Sequence, residues 1–324
     1  MPREVYLSMK KSTLTITIEE GLTMLDGSLV INVQQDLLVT KRQSEIEKIV
    51  VKEFDALGTT LTGAYARHTA IQPLVDNMIE LFVLLKPERG QMNTPAELMA
   101  HLQEAIVKHY PDAVIDDKGR GIIVANKACV FHVVPSFYRD TKGYIVADAK
   151  KHQWVKTNPT IHYYALDDDN HKHKGMLLPV VRIIKYWNEC NGSLFNNYYL
   201  ELLLKETLTN KKVESHVHAI KTFFKRAIGL VVFTIDDPAD FGKQMDGLKD
   251  INKMLAALQC FIDSQEHISK AEKYERGGNL MMAYKEFGKI FGGYYPGYVD
   301  MMSKKLEANN ITGIEALQIL RDAT

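Results

Sequence analysis

Apolar positions follow two regimes along the chain: short strand-like runs alternate with helical stretches in the first half, and a helical period dominates the second. Leu37, Leu38, Ile46, Ile49, Val50 and Phe54, set among charges, predict an amphipathic entry helix over Gln34–Ala56. Thr59–Thr62 and Ile79–Leu85 read as strands, the second bulky enough to be buried on both faces. Gly63–Val75 between them reads as a loop. Thr94 is placed to cap a helix running to Tyr110, with Glu97 three residues on for the reciprocal bond. Further strands are expected at Ala113–Asp116, Gly121–Ala125, Cys129–Val134 and Tyr144–Ala147.

From Leu177 onward the period is helical. Pro179 suits a first turn, and Val180, Ile183, Ile184 and Trp187 form an apolar face opposite Arg182, Lys185 and Glu189. Helices are also expected at Tyr198–Leu208, Glu214–Leu230, Leu248–Ser264, Ser269–Phe291 and Gly313–Asp322. The change of period predicts two domains, an α/β unit over residues 1–172 and an all-α unit over 173–324.

Composition narrows the class. The 324 residues are 46% hydrophobic and 25% charged, with no long low-complexity run, as in a soluble globular protein. Met1–Lys11 lacks the apolar core of a signal peptide, and no uncharged stretch reaches the roughly 18 residues that span a bilayer, so a cytoplasmic protein with no membrane partner is expected. Cys129, Cys190 and Cys260 lie far apart and form no CxxC pair, which argues against disulfides and structural zinc. Forty basic and forty acidic residues leave no net charge, so a long DNA or RNA partner is not expected.

Candidate chemistry centres on the segment after the first strand. Gly63 and Ala64 let backbone N–H groups approach a phosphate, while Arg67 adds a charged fork and Thr69 a hydroxyl. Taken alone, a Gly-Ala turn between strands is more often a plain hairpin. Gly63-Ala64-Tyr65-Ala66-Arg67-His68-Thr69-Ala70-Ile71, then Pro73-Leu74 and Met78–Leu85, together resemble the GSYARxTAI…PL…ADIDLFVVL pattern of the cGAS/DncV-like nucleotidyltransferases. Val130–Phe137 is similar to the strand bearing that family's third carboxylate. Trp154–Pro159, Gly175–Asn188, Tyr198–Glu201 and Ala283–Pro296 resemble its later motifs, so the likeness spans residues 34–296.

The resemblance implies a polymerase-β-like core followed by a helical domain, with a nucleotide cleft between them. It also implies nucleotide contacts from Gly63, Ala64, Arg67, Thr69, Arg182 and Lys185. Members join nucleoside triphosphates into cyclic or linear oligonucleotide signals in antiphage defence. Three carboxylates hold magnesium for that reaction, and in register they are replaced by Met78, Glu80 and His132. A thioether cannot serve magnesium, glutamate is a methylene longer than aspartate, and imidazole brings no negative charge. Ala64 likewise stands where the family has serine.

The expected protein therefore binds a nucleoside triphosphate or small oligonucleotide with transfer lost or impaired, acting as a sensor or as the subunit of a protein partner or homo-oligomer. The competing expectation is an active synthase that binds magnesium or manganese through Glu80 and His132, with Asp76 recruited. Plainer readings make Met78 a core filler in the vacated metal pocket, His132 a satisfied core histidine, Asp167–Lys174 a solvated loop, and Arg182 with Lys185 a solvated helix face.

Overall fold

In the computed structural model, which describes residues 14–74, 76–139, 143–239, 244–245, 248 and 250–323, the helix-then-strand order follows the apolar pattern. Met1–Lys11 and Val75, on which two expectations fell, lie outside the described residues. Helix α1 (Ile18–Leu29) precedes α2 (Val33–Phe54), which starts in a capping box between Asn32 and Gln35 and stops at Asp55 in the left-handed region, φ 52°. Next come β1 (Gly58–Thr62), the single turn α3 (Gly63–Ala66) and β2 (Ile79–Leu85). A short α4 (Glu88–Met92) leads into α5 (Pro95–Val107), where Thr94 and Glu97 make both expected capping bonds.

The strands β3 (Val114–Ile115), β4 (Ile122–Ala125), β5 (Val130–Tyr138), β6 (Tyr144–Asp148) and β7 (Gln153–Thr157) complete a seven-stranded sheet. Its order is β1-β2-β5-β4-β3, with β6 paired to the far end of β5 and β7 to β6. Only β2 and β5 run parallel, in a register that sets Glu80 beside His132. Helices α2 and α5 cover one face of this sheet, where Val50, Phe54, Leu81, Val83, Leu98, Leu102 and Phe131 form the core. The other face holds a smaller cluster around Phe82, Val134 and Val146.

Helix α6 (Pro159–Lys172) follows, then α7 (Leu177–Cys190), α8 (Asn197–Leu208) and α9 (His216–Leu230), the two-residue strands β8 (Ile235–Asp236) and β9 (Gln244–Met245), α10 (Ile251–Arg276), α11 (Leu280–Phe291), α12 (Tyr298–Ala308) and α13 (Gly313–Ala323). The chain divides into two compact units. One holds the described residues of Leu29–Leu178 and Asp236–Met245, the other those of Met1–Ser28, Pro179–Ile235 and Asp246–Thr324. The expected break at 172/173 thus falls at 178/179, and α1, expected in the α/β unit, belongs to the helical one.

Contacts within the helical unit explain that assignment. Asp26 of α1 forms a two-point ion pair with Arg182 of α7 at 2.7 and 2.9 Å, and Glu19 accepts from the His216 and Val217 N–H groups at the start of α9. Burial would raise the Glu19 carboxyl, but the His216 side chain and those two N–H groups outweigh it and hold the group down at about 2. Trp187 is buried among Phe223, Phe224 and Phe261, and its indole N–H donates to Ser264.

Three other expectations change. The Asp167–Lys174 run is no solvated loop: it continues α6 to Lys172, with Asp169 buried and paired to Lys172 at 2.8 Å. No break occurs near residues 264–269; α10 runs through to Arg276 and the chain turns at Gly277-Gly278. Lys185 is not on a solvated face, because its ammonium is sealed against Glu201 at 2.6 Å with side-chain exposures of 2% and 3%.

Candidate functional site

Alternation along β2 sends Ile79, Leu81, Val83 and Leu85 into the core and turns Glu80 to the opposite face of the sheet. Antiparallel pairing with β1 puts Thr62 beside Glu80, and the Thr62 hydroxyl donates to Oε2 at 2.7 Å. Gly63 then turns the chain into α3 at φ 66°, and a Cβ there would sit 3.1 Å from the Glu80 carboxylate. Glycine is required at this point both for the left-handed backbone and for the carboxylate's approach.

On the other side of Glu80, β5 presents His132, whose Nε2 lies 2.5 Å from Oδ2 of Asp116. The second oxygen of Asp116 accepts from the backbone N–H groups of Lys118 and Arg120. Burial would raise the Asp116 carboxyl, but the His132 bond and those N–H groups win and hold it at about 2. An ionised carboxylate only accepts, so the ring proton sits on Nε2. Gly121 makes the pair feasible, since a Cβ there would lie 2.5 Å from Nε2. His132 is thus neither a sequestered core residue nor a free ligand; it is mostly buried and anchored on one side.

The remaining expected residues fall in several places. Met78 is 54% exposed at the entrance to β2, so the core-filler reading is corrected. A residue just outside the strand, where the hydrogen-bonded pairing begins at Ile79, meets solvent rather than the sheet face. Asp76 is exposed in the turn before it, its N–H bonded to the Pro73 carbonyl. Thr69 is fully buried and closes the α3 turn, its N–H and hydroxyl both donating to the Ala64 carbonyl. Arg67 is buried at the end of that turn. Arg182 and Lys185 lie in the helical unit, in the ion pairs with Asp26 and Glu201.

A cleft of about 230 Å³ opens within the sheet unit against β1 and α3, walled by α6. Thr60, Thr62, Gly63 and Arg67 line one side, and Thr160, Tyr163 and Tyr164 the other, with Tyr144 of β6 also in the lining. Tyr144 is steadied edge-on by Phe82 at 5.3 Å, and Tyr163 and Tyr164 meet edge-on at 5.4 Å. Sequence reasoning missed this wall because α6 was not foreseen, although the Tyr163-Tyr164 pair shortly after Asn158-Pro159 was a usable signal. It missed Asp116 as well, whose only mark was its place before the glycines of a tight turn.

Residues 17–170 match the profile of the Second Messenger Oligonucleotide or Dinucleotide Synthetase domain. Over that segment the chain is similar to the cGAS/DncV-like nucleotidyltransferases. A Bacillus cereus relative described as a probable cyclic nucleotide synthase is 27% identical over 180 residues, 53% of each chain, so the match spans about half of that relative's length. Among solved structures, Escherichia coli CdnC in complex with HORMA-deltaN aligns with TM-score 0.70 at 15% identity, covering 86% of this chain and 98% of that one. Vibrio cholerae DncV bound to the linear intermediate pppA(3′,5′)pG aligns at 0.62 and 11% identity, covering 92% of both. These structures share the fold.

Family chemistry rests on two magnesium ions held by hard oxygen ligands. The donor set here does not fit them. Glu80 is the one carboxylate among the three register positions, and its Oε2 already accepts from Thr62. Asp116 turns both oxygens to His132 and the backbone. Among the described residues no three His, Cys, Asp or Glu side chains come together as a metal site.

Proposed function

We propose that this protein is a nucleotide- or oligonucleotide-binding member of antiphage second-messenger signalling in the cytoplasm whose transferase activity is lost or strongly impaired. The observation that carries this reading is the sheet face itself. The position of the first carboxylate has become an exposed thioether, and that of the third an imidazole tied to Asp116, leaving Glu80 without a second acidic ligand. The retained binding features are the Gly63 turn, Arg67 and the tyrosine-walled cleft. A protein partner is also proposed, by analogy with the CdnC complex, and no described helix is long and apolar enough to cross a membrane.

Purified protein incubated with labelled nucleoside triphosphates and magnesium or manganese should yield no oligonucleotide and no pyrophosphate. Product that vanishes in Glu80→Ala would overturn this reading and establish an active synthase. Binding should appear as thermal stabilisation by nucleotide or oligonucleotide that weakens in Tyr164→Ala, a change at an exposed side chain.

A further inference from the structure

Helix α10 has an apolar side that no described residue covers. Its buried row, Ala257, Phe261, Ser264, Ile268 and Ala271, packs into the helical unit, whereas Ile251, Leu255 and Ile262 are 60%, 58% and 47% exposed and Leu258 between them is half-buried. At 3.6 residues per turn these four side chains fall in one narrow stripe, about a third of the way round the helix from the buried row. From Ile251 to Ile262 the sequence carries a single charge, Lys253, and the same period puts it on the side opposite the stripe. Asn252, Ala256 and Gln259 on one flank, and Met254 and Gln265 on the other, are neutral. A solvated helix face carries charge at such positions. Three turns of bulky apolar side chains without any mark a contact surface.

The spacing points to the partner. Successive members of the stripe are four, three and four residues apart, an order that reads the same in both directions. With a two-fold axis between Ala256 and Ala257, an antiparallel second α10 sets Ile251 against Ile262 and Leu255 against Leu258, each pair twice, as an isologous contact requires. Charge favours the same direction. Asp263 and Glu266 are exposed just past the Ile262 end, and parallel helices would set each against its own copy. Antiparallel helices instead bring Asp263 level with the other copy's first turn, where Lys253 and the helix's positive end lie. The acid at that end, Asp250, is already committed to the Lys253 N–H at 2.9 Å.

We infer that α10 is a self-association surface of this protein and pairs antiparallel with α10 of a second copy. Three turns of helix bury less than the roughly 800 Å² per partner of a stable complex, so the dimer is reversible and dissociates on dilution. The contact lies wholly in the helical unit and is independent of the binding role proposed for the cleft.

The test is sedimentation equilibrium of the full chain over about 1–200 µM without nucleotide, where the average mass should climb from monomer toward dimer. Leu255→Glu and, separately, Ile251→Lys put a charge into the stripe at exposed positions. Each should raise the dissociation constant about tenfold or more while leaving the circular dichroism spectrum and melting curve unchanged. Direction is read by oxidative cross-linking in a Cys190→Ser, Cys260→Ala background. Ile251→Cys mixed with Ile262→Cys should form a disulfide dimer and neither alone should, because equal positions at the ends of the stripe lie roughly 16 Å apart in the antiparallel register.

A chain that stays monomeric throughout that range would overturn the inference and leave the stripe to a different protein. A dimer that both charged variants leave intact would overturn it too, by placing the contact on another face. Disulfide dimers from Ile262→Cys alone would overturn the antiparallel pairing.

Discussion

Two close side-chain pairs in this protein have nearly the same local geometry and different surroundings. Lys185 and Glu201 in the helical unit meet at 2.6 Å and are 2% and 3% exposed. His132 and Asp116 in the sheet unit meet at 2.5 Å but are 16% and 13% exposed, on the face that carries Glu80. Sealing makes the first pair a matter of folding, since almost no water reaches either ion. Partial exposure leaves the second a matter of orientation, because the imidazole is aimed by Asp116 while its surroundings stay polar.

Breaking each pair should separate these roles. Lys185→Met takes the ammonium away from the buried Glu201 carboxylate and should cost about 3–5 kcal/mol, read by urea unfolding. Adding Glu201→Leu should recover most of that loss. Were Lys185→Met instead to leave stability intact and abolish nucleotide binding, Lys185 would be a ligand contact and the contrast would fail. Gly121→Ala comes next: the new methyl collides with the His132 ring, and displacing it should cost about 1–3 kcal/mol.

Asp116→Asn should be milder in stability at neutral pH, with its main effect on the pH profile. Because the folded carboxyl is held at about 2, below its ordinary value, its contribution is present above the ordinary carboxylate range and is lost as pH falls toward 2. The wild type should therefore lose stability over that acid window, and the variant should show a flatter curve in equilibrium unfolding across it. The smallest effect belongs to Met78→Ser. At a half-exposed position outside the strand it should stay within about 0.5 kcal/mol by thermal denaturation, and a larger loss would mean the thioether is packed after all.

Much of this architecture could be read from periodicity. β2 matches its expected range because four alternating core positions leave no other register, and the Thr94–Glu97 capping box announces α5 in four residues. Elements escaped where the usual signal is absent. Among α6's described side chains only Leu166 and Asp169 are buried, so no apolar stripe marks it, and its acidic stretch mimics a loop. The break expected before Ser269 does not occur: the helix runs on to Arg276 with Ser264, Ile268 and Ala271 buried, and Ser264 takes the Trp187 indole N–H, a contact between residues far apart in sequence.

The site shows the same division. Glu80 and His132 were named because their strands resemble the family's motif strands, and the sheet sets the two side by side. Asp116 was not, since its role depends on a turn that folds it back onto β5 and on a glycine that leaves room for a ring. Arg182 and Lys185, expected from the likeness to meet a nucleotide, each pair with a carboxylate that the sequence did not announce.

The Thr62 hydroxyl has one proton, and it points at Glu80. What remains toward the cleft is a pair of lone pairs on an oxygen whose donor capacity is already committed. Threonine in a nucleotide pocket is usually counted as a grip for phosphate oxygens, yet this one repels them and welcomes an amino group, a ring N–H or a sugar hydroxyl. At this one residue, then, the side chain accepts and the guest must donate, while Arg67 on the same side of the cleft can only donate.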